Sequence, residues 1–389
     1  MKRDIFILVP IAGKLRVKKD VESEILIDKF VSVINETAKY ECERLINESI
    51  HRMAYDKISL AYMDDNYEEE KAEWIDVYTI ISYQEYTQLG VVQLYIPQCD
   101  KSATQIGDMV SSEHLIVKKN GCKYTLEQFL FDELGVFICG KNRVLYCMDR
   151  TDVDKIELEY MLAGEMYNSK HTETAIKNAS LTERANTNLS SYDFYDLYAS
   201  TNAIIYCIDN YSNDAVENMD KEALLLFICE IAVLQNAAIN RINKMIVAEL
   251  LENSDISARK TLKLQVEFGK TILLWDNNIY NYYMAQQVSD KIIEAFETDK
   301  LYVEYQKNKS HIEQIASVKS GIASEMEGRV LNILAFILSI SELVQLVDNI
   351  KSYILGVPGQ YVLLGGSTAA LIVVLVAIIK NRKRKKLDL

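Results

Sequence analysis

Proline is almost missing from this chain. Pro10, Pro97 and Pro358 are its only three prolines, so residues 98–357 contain none. A stretch that long without the strongest helix breaker predicts uninterrupted helices in the second half. Histidine is equally scarce. The four histidines, His51, His114, His171 and His311, stand outside metal-ligand spacing of any cysteine, and no CxxC pair occurs. No metal site is therefore expected. Cys42, Cys99, Cys122, Cys139, Cys147, Cys207 and Cys229 read as reduced, partly buried thiols of a cytosolic domain. The motifs G-x-x-x-x-G-K-[ST], G-x-G-x-x-G and G-x-S-x-G are all lacking, which removes the phosphate loop, the dinucleotide fingerprint and the nucleophile elbow. Nothing resembles a Cys/His nucleophile pair either. No catalytic residue is expected, and an enzymatic role has no positive support.

Basic charge is in short supply as well. The whole chain carries 43 Lys and Arg against 56 Asp and Glu. Setting aside the last ten residues, with six basic side chains and Asp388, leaves 37 against 55, a net charge of -18. A body that acidic argues against a broad basic surface for DNA or RNA, so no direct nucleic-acid partner is expected. The one basic cluster before the tail is Lys14, Arg16, Lys18 and Lys19. It suits either an anion site at the end of a first strand or a solvated loop.

What the chain does have is concentrated at its end. Tyr361 to Ile379 is nineteen residues without a charge, followed by six basic residues within Lys380–Lys386. Nineteen helical residues span about 28 Å, enough for a bilayer core, and the basic cluster marks the cytoplasmic side. The opening MKRDIFILVPIAGKLRVKKD has a short apolar run containing Pro10 and no small-residue cleavage site. It reads as a β-strand, not a signal peptide. Both termini are then cytoplasmic, and a second span is required. Val330 to Val347 supplies eighteen residues with one charge, Glu342. Alone, that segment also suits a buried or amphipathic helix; the topology favours a span. The link Asp348–Gln360, with Gly356, Pro358 and Gly359, reads as a short external loop. The expected location is the cell membrane, with two passes.

The expected fold class is α+β. Residues 1–210 form a cytosolic α/β domain, 211–329 a helical coupling and stalk region, 330–379 a transmembrane hairpin and 380–389 a basic tail. Strands are expected at Ile5–Ile11, Ile58–Met63, Val77–Tyr83, Val91–Ile96, Val136–Cys139, Val144–Met148 and Ala203–Ile208. Helices are expected at Val21–Ala54, Leu126–Leu134 and Asp154–Tyr167, and a surface loop or insert at Ser169–Ser191. Later, Glu222–Leu251 and Ser257–Phe296 read as helical, with a break near Leu273–Asn278. A stalk beginning near Lys300 carries Tyr305, Ile312, Ile315, Ile322, Met326 and Ile333 on an a/d-like seam. That seam suits packing against another long helix, in a homo-oligomer or within one chain.

This layout of cytosolic α/β domain, long helices, stalk, two spans and basic tail resembles the CorA-like membrane proteins, mainly over residues 213–389. The Gly-Met-Asn motif of that family's cation transporters is absent from LVQLVDNIKSYILGVPG, which speaks against magnesium transport. CorA-like effectors associated with type III CRISPR systems lack a dependable transport signature too. That resemblance implies antiviral defence through a membrane protein gated by a nucleotide second messenger, an S-adenosylmethionine–AMP conjugate. A CorA-type channel or transporter and a membrane-anchored scaffold are the alternatives.

Three strand ends are alike: LAYMDDN (60–66), VLYCMDR (144–150) and IIYCIDN (204–210). Ligands of open α/β sheets bind beyond strand carboxyl ends. Asp149, Arg150, Asp209 and Asn210 are thus candidate ligand-binding residues, with Arg150 suited to a phosphate and Asp209 to a ribose hydroxyl or a sulfonium. The same residues also suit ordinary turns that cap the next helix. In the first span, Asn332, Ala335, Ser339 and Glu342 lie within about 80° of one another. Asn332, Ser339 and Glu342 are candidate pore-lining residues. The same stripe also suits packing against Gly366 and Ala370 of the second span.

Overall fold

The computed structural model describes residues 2–17, 25–62, 73–111, 115–152, 154–164, 179–252, 266–267 and 279–355. The chain divides into two compact units: residues 1–247 with 266–306, and residues 248–265 with 307–389.

The first unit is a mixed sheet covered by helices on both faces. Its strands are β1 (Arg3–Ala12), β2 (Ile50–Tyr62), β3 (Ile75–Gln84), β4 (Leu89–Cys99), β5 (Leu115–Lys119), β6 (Cys122–Thr125), β7 (Phe137–Ile138), β8 (Arg143–Asp149), β9 (Tyr195–Ala199) and β10 (Ala203–Ile208). They are ordered β6-β5-β2-β3-β4-β1-β8-β10-β9, with β7 also on β1, and every pairing is antiparallel except β8 with β10. A strand buried on both sides reads as a continuous apolar run, and β1 is buried at all ten positions. Its Ile5, Ile7, Val9 and Ile11 enter one core; Phe6, Leu8 and Ala12 enter the other. Pro10 is tolerated here because its nitrogen faces the break between β7 and β8. Its carbonyl accepts Cys139 N at 3.0 Å on that side.

One core is closed by α1 (Ile25–Glu41), α7 (Ala215–Glu252) and α8 (Tyr283–Ala295). Phe6 stacks on Tyr95 with ring centroids 4.5 Å apart, and Phe30 of α1 tilts against both. The opposite core is closed by α3 (Ala103–Ser111), α4 (Leu126–Leu134) and α5 (Lys155–Ala163), with Ala185 of α6 (Ala179–Asn186). The α4 bounds agree with the sequence. Thr125 and Gln128 form a capping box, and Gly135 closes the helix at φ 70°.

Among the described residues, α7 is the one helix long and apolar enough to cross a membrane, yet 94% of its apolar window is buried in the protein. Asn218, Glu222, Glu230, Gln235, Asn236 and Asn243 interrupt it, all buried. Glu230 is the best satisfied. Its carboxylate accepts Arg52 Nη2 at 2.8 Å and Nε at 3.1 Å, Ser82 Oγ at 2.7 Å and Gln93 Nε2 at 3.0 Å. A shorter apolar stretch, Gly328–Ile340, lies in α9 (Thr298–Leu355).

Several expectations need correction. The helix expected over Val21–Ala54 is α1 and then a short α2 (Arg44–Ser49), and residues 50–62 are strand. The first half of that strand, IHRMAYDK, has no clean apolar alternation, and a register irregularity between Ala54 and Lys57 puts Ile50 and Ile58 in opposite cores, so no period-2 signal marks the strand. β5, β6 and β9 were not foreseen: they are only four or five residues long. Val136–Cys139 is reduced to the two residues of β7. Part of the expected Ser169–Ser191 loop is α6. Residues 348–355, expected as loop, continue α9, because nothing before Gly356 stops a helix. The break near Leu273–Asn278, the span Tyr361–Ile379 and the basic tail lie outside the described residues.

Removing one partner of the Arg52–Glu230 pair would leave an uncompensated buried charge. Arg52→Ala is expected to destabilise the first unit by about 3–5 kcal/mol, read from its chemical unfolding midpoint. A loss below about 1 kcal/mol would show that the pair behaves as a surface one.

Candidate functional site

Four central strands bring their polar ends to one edge of the sheet. β8 and β10 run parallel with Ile208 opposite Asp149, so Asp149–Arg150 and Asp209–Asn210 leave the sheet side by side. β1 begins at the same edge, with Asp4 opposite Cys147, and β4 ends there, with Cys99 opposite Arg3. The four residues expected to bind a ligand are thus gathered in one place.

Most of their polar groups already have protein partners. Arg150 holds Asp196 of β9 through two bonds, Nε to Oδ2 at 2.7 Å and Nη2 to Oδ1 at 2.9 Å. Its Nη1 donates to Asp193 O at 2.6 Å and lies 3.7 Å from Asp209 Oδ2. Bonding to Asp196 raises the guanidinium pKa further, so Arg150 stays charged, and an incoming phosphate must compete with a carboxylate. Asp149 behaves as a turn residue. Its Oδ1 accepts Thr151 N and Oγ1 at 2.9 and 2.6 Å, and its Oδ2 accepts Tyr211 N at 2.8 Å. Those bonds, the Thr151 hydroxyl first, hold its carboxyl below the ordinary value. Asp209 and Asn210 are exposed. Asn210 adopts φ 58°, and its carbonyl accepts Lys221 Nζ at 2.6 Å.

Beside Arg150 lies a feature that motif reading missed. Tyr192 and Phe194 are exposed at 37% and 52%, with ring centroids 5.5 Å apart, and Phe194 meets Tyr195 edge-on at 5.0 Å. They flank Asp193, whose carbonyl Arg150 binds. The signal was the aromatic cluster YDFY (192–195), which follows the polar Ser169–Ser191 stretch and runs into β9.

Beneath the edge is a second missed group. Asp4 of β1 and Glu222 of α7 are fully buried. Gln98, held at φ 50°, donates its backbone N to Asp4 Oδ1 at 2.6 Å, and the Tyr211 hydroxyl donates to Glu222. A charged residue in the apolar run EALLLFICEIAVL was the available clue.

Among clefts elsewhere, one of about 610 Å³ opens near Asn142, at the start of β8, lined by Thr125, Glu127, Lys141 and Asn142. The expected residues stand at the other end of that strand. Lys14 and Arg16 are exposed after β1, and Lys18 and Lys19 lie outside the described residues, as does the MDDN end of the first strand repeat. All seven cysteines are free; burial pushes Cys139 up to about 11 and Cys42 and Cys207 to about 12, which makes them poor nucleophiles.

In the second unit, the stripe expected to line a pore is exposed at Asn332, Ala335, Ser339 and Glu342, and Ser339 Oγ donates back to Ala335 O at 2.9 Å. On the stalk seam, Ile312 is buried and Ile333 is exposed. Comparison with protein-family models, curated proteins and solved structures gave no match.

Asp149 ties the exits of β8 and β10 together. Asp149→Ala is expected to cost roughly 1–3 kcal/mol by leaving the Tyr211 amide without its acceptor. The depressed carboxyl pKa gives stability that is present above the ordinary value and lost as pH falls through the folded one. The variant should therefore lose less stability than wild type on acidification, as read from unfolding midpoints at graded pH.

Proposed function

We propose that this chain is a ligand-gated membrane effector of the CorA-like kind. In this reading the α/β unit senses a nucleotide second messenger, and α9 carries the response into a bilayer. One observation carries the proposal. α9 runs unbroken from Thr298, which is fully buried and receives Asn236 Nδ2 at 2.9 Å, to a segment that is apolar except along the Asn332, Ser339 and Glu342 stripe. There Leu331, Ile333, Phe336, Leu338 and Ile340 are 45–67% exposed. An exposed apolar face that broad needs a core or a membrane to cover it, since burying each such side chain is worth about 1.5–3 kcal/mol. Residues 330–347, with 361–379 as the second span, form the proposed two-pass output, both termini cytoplasmic.

A symmetric homo-oligomer would turn Asn332, Ser339 and Glu342 towards a shared path, with Glu342 favouring cations. For sensing, the β8/β10 edge offers Arg150 for a phosphate and the exposed rings of Tyr192 and Phe194 for an adenine face. An S-adenosylmethionine–AMP conjugate has both groups, as do cyclic oligoadenylates.

The test uses the full chain in dye-loaded vesicles, with calorimetry alongside. The conjugate is expected to bind and to release dye. Arg150→Ala should weaken binding about 10- to 150-fold, the cost of a charge-assisted contact, and Asp196→Asn, which removes the competing carboxylate, should tighten it. Glu342→Gln should change the flux without changing insertion. If neither the conjugate nor a cyclic oligoadenylate binds, the messenger reading fails. If a cysteine introduced at Leu387 is labelled from outside intact cells, the topology fails.

A further inference from the structure

Two carboxyl groups meet in the core of the first unit, with no cationic side chain between them among the described residues. Asp4 and Glu222 are both fully buried, and Asp4 lies within hydrogen-bonding reach of Glu222. Arg3, the neighbour of Asp4, points to the opposite face, where it binds Glu157 at 2.7 Å. Lys221 is turned outward to the Asn210 carbonyl. Among the described residues, the remaining titratable groups around the pair are Tyr95 from β4, Cys147 from β8, Tyr206 from β10 and Tyr211 from the loop after β10. Burial raises all four pKa values, so they stay neutral and none can balance a second anion.

The hydrogen bonds assign the atoms. Asp4 Oδ1 accepts Gln98 N at 2.6 Å and Nε2 at 3.3 Å, and Oδ2 accepts Tyr95 OH at 3.4 Å. Glu222 Oε1 accepts Tyr211 OH, whereas Glu222 Oε2 is buried and receives no donor. Two ionised carboxylates in contact in a dry core would repel each other and leave that oxygen unsatisfied. A hydrogen on Oε2, donated to Asp4, removes both costs.

We propose that Asp4 and Glu222 share one proton, carried on Glu222 Oε2, and that this proton holds the 209–212 loop against the sheet edge. The loop depends on the pair through two residues. Tyr211 bonds Glu222 by its hydroxyl and Asp149 by its amide. Gln98 Nε2 reaches both Asp4 and Ser212 O. Ionising the pair drives the two carboxylates apart and pulls on both ties. The proposal stands whether or not the edge binds a messenger.

The Glu222 carboxyl pKa is raised well above 4.5, first by burial and then by Asp4. Above that ordinary value the unfolded chain has lost a proton that the folded chain keeps. Stability therefore falls as pH rises, by up to about tenfold in the folding constant per pH unit until the folded pair ionises. Glu222→Gln mimics the protonated acid: its amide accepts from Tyr211 and donates to Asp4.

The experiment compares the full chain and Glu222→Gln in detergent between about pH 5 and about pH 9. The wild-type unfolding midpoint is expected to fall further than that of the variant. Hydrogen exchange over residues 209–218 is expected to accelerate at the alkaline end in wild type alone. Infrared spectra of wild type should contain a protonated-carboxyl band that Glu222→Gln lacks, a readout that needs no variant stability. Parallel midpoints, or the absence of that band, would overturn the shared proton. Unchanged exchange over 209–218 would overturn its hold on the loop. If sodium, magnesium or calcium ions restore the alkaline wild type and not the variant, a cation is the neutralising species and the proton is not.

Discussion

A carboxylate at the centre of a closed core sets the terms for the first unit. Glu230 sits inside an apolar helix pressed on a sheet, where an isolated charge would cost far more than the fold can supply. Arg52 from β2, Ser82 from β3 and Gln93 from β4 meet it there, and Arg52 reaches on to Asn35 and Asn47 near α1 and α2. Those bonds form only when α7 lies at one height and rotation over the sheet. Apolar packing alone is tolerant of sliding, whereas a buried ion pair is not. Glu222, two turns earlier on the same helix, inherits its position from this anchor.

The same register explains why the candidate edge is so well satisfied. With α7 fixed, Glu222 takes Tyr211, Tyr211 takes Asp149, and Lys221 takes the Asn210 carbonyl. Arg150 is drawn to the other side by Asp196 and the Asp193 carbonyl. Two residues with side chains, Gln98 and Asn210, are held at φ 50° and 58° at this edge. Such conformations cost free energy and persist where surrounding bonds dictate them. Asp209, 3.7 Å from Arg150 Nη1, and Asn210 remain exposed.

How much of this was legible from sequence follows from which physical signals are local. β1, β3, β4, β8 and β10 announce themselves because a central strand needs apolar side chains on both faces. α4 does so through Thr125 and Gly135. The convergence of Asp149, Arg150, Asp209 and Asn210 was legible from the repeated strand ends. What filled those groups was not, because Asp196, Tyr211 and Glu222 come from other elements and nothing in VLYCMDR names them. The edge strands β6 and β9, and β5 beside β6, are only four or five residues long, so their pattern is faint. α7 is long and apolar enough for a membrane span, and its buried position and its buried polar residues separate it from one.

One strand links the two ends of the first unit that matter most. β8 leaves the candidate edge at Asp149 and begins at Arg143, a buried guanidinium whose hydrogen bonds go to Asn236 Oδ1 at 3.0 Å and Lys141 O at 3.1 Å, with no carboxylate among them. Burial without an acidic partner lowers its pKa to about 10. Its flat face covers the Phe296 ring at 4.1 Å. Asn236 in turn holds Thr298, the first residue of α9, and Glu297, between Phe296 and Thr298, turns at φ 57°. Asn243 bonds the Leu301 carbonyl one turn further on. The start of α9 is therefore fixed by β8 and α7 together, through bonds whose polar groups are already committed. Because packed interiors shift between discrete arrangements and do not stretch, a displacement of β8 at Asp149 must either be absorbed within seven residues or reach the helix at Thr298.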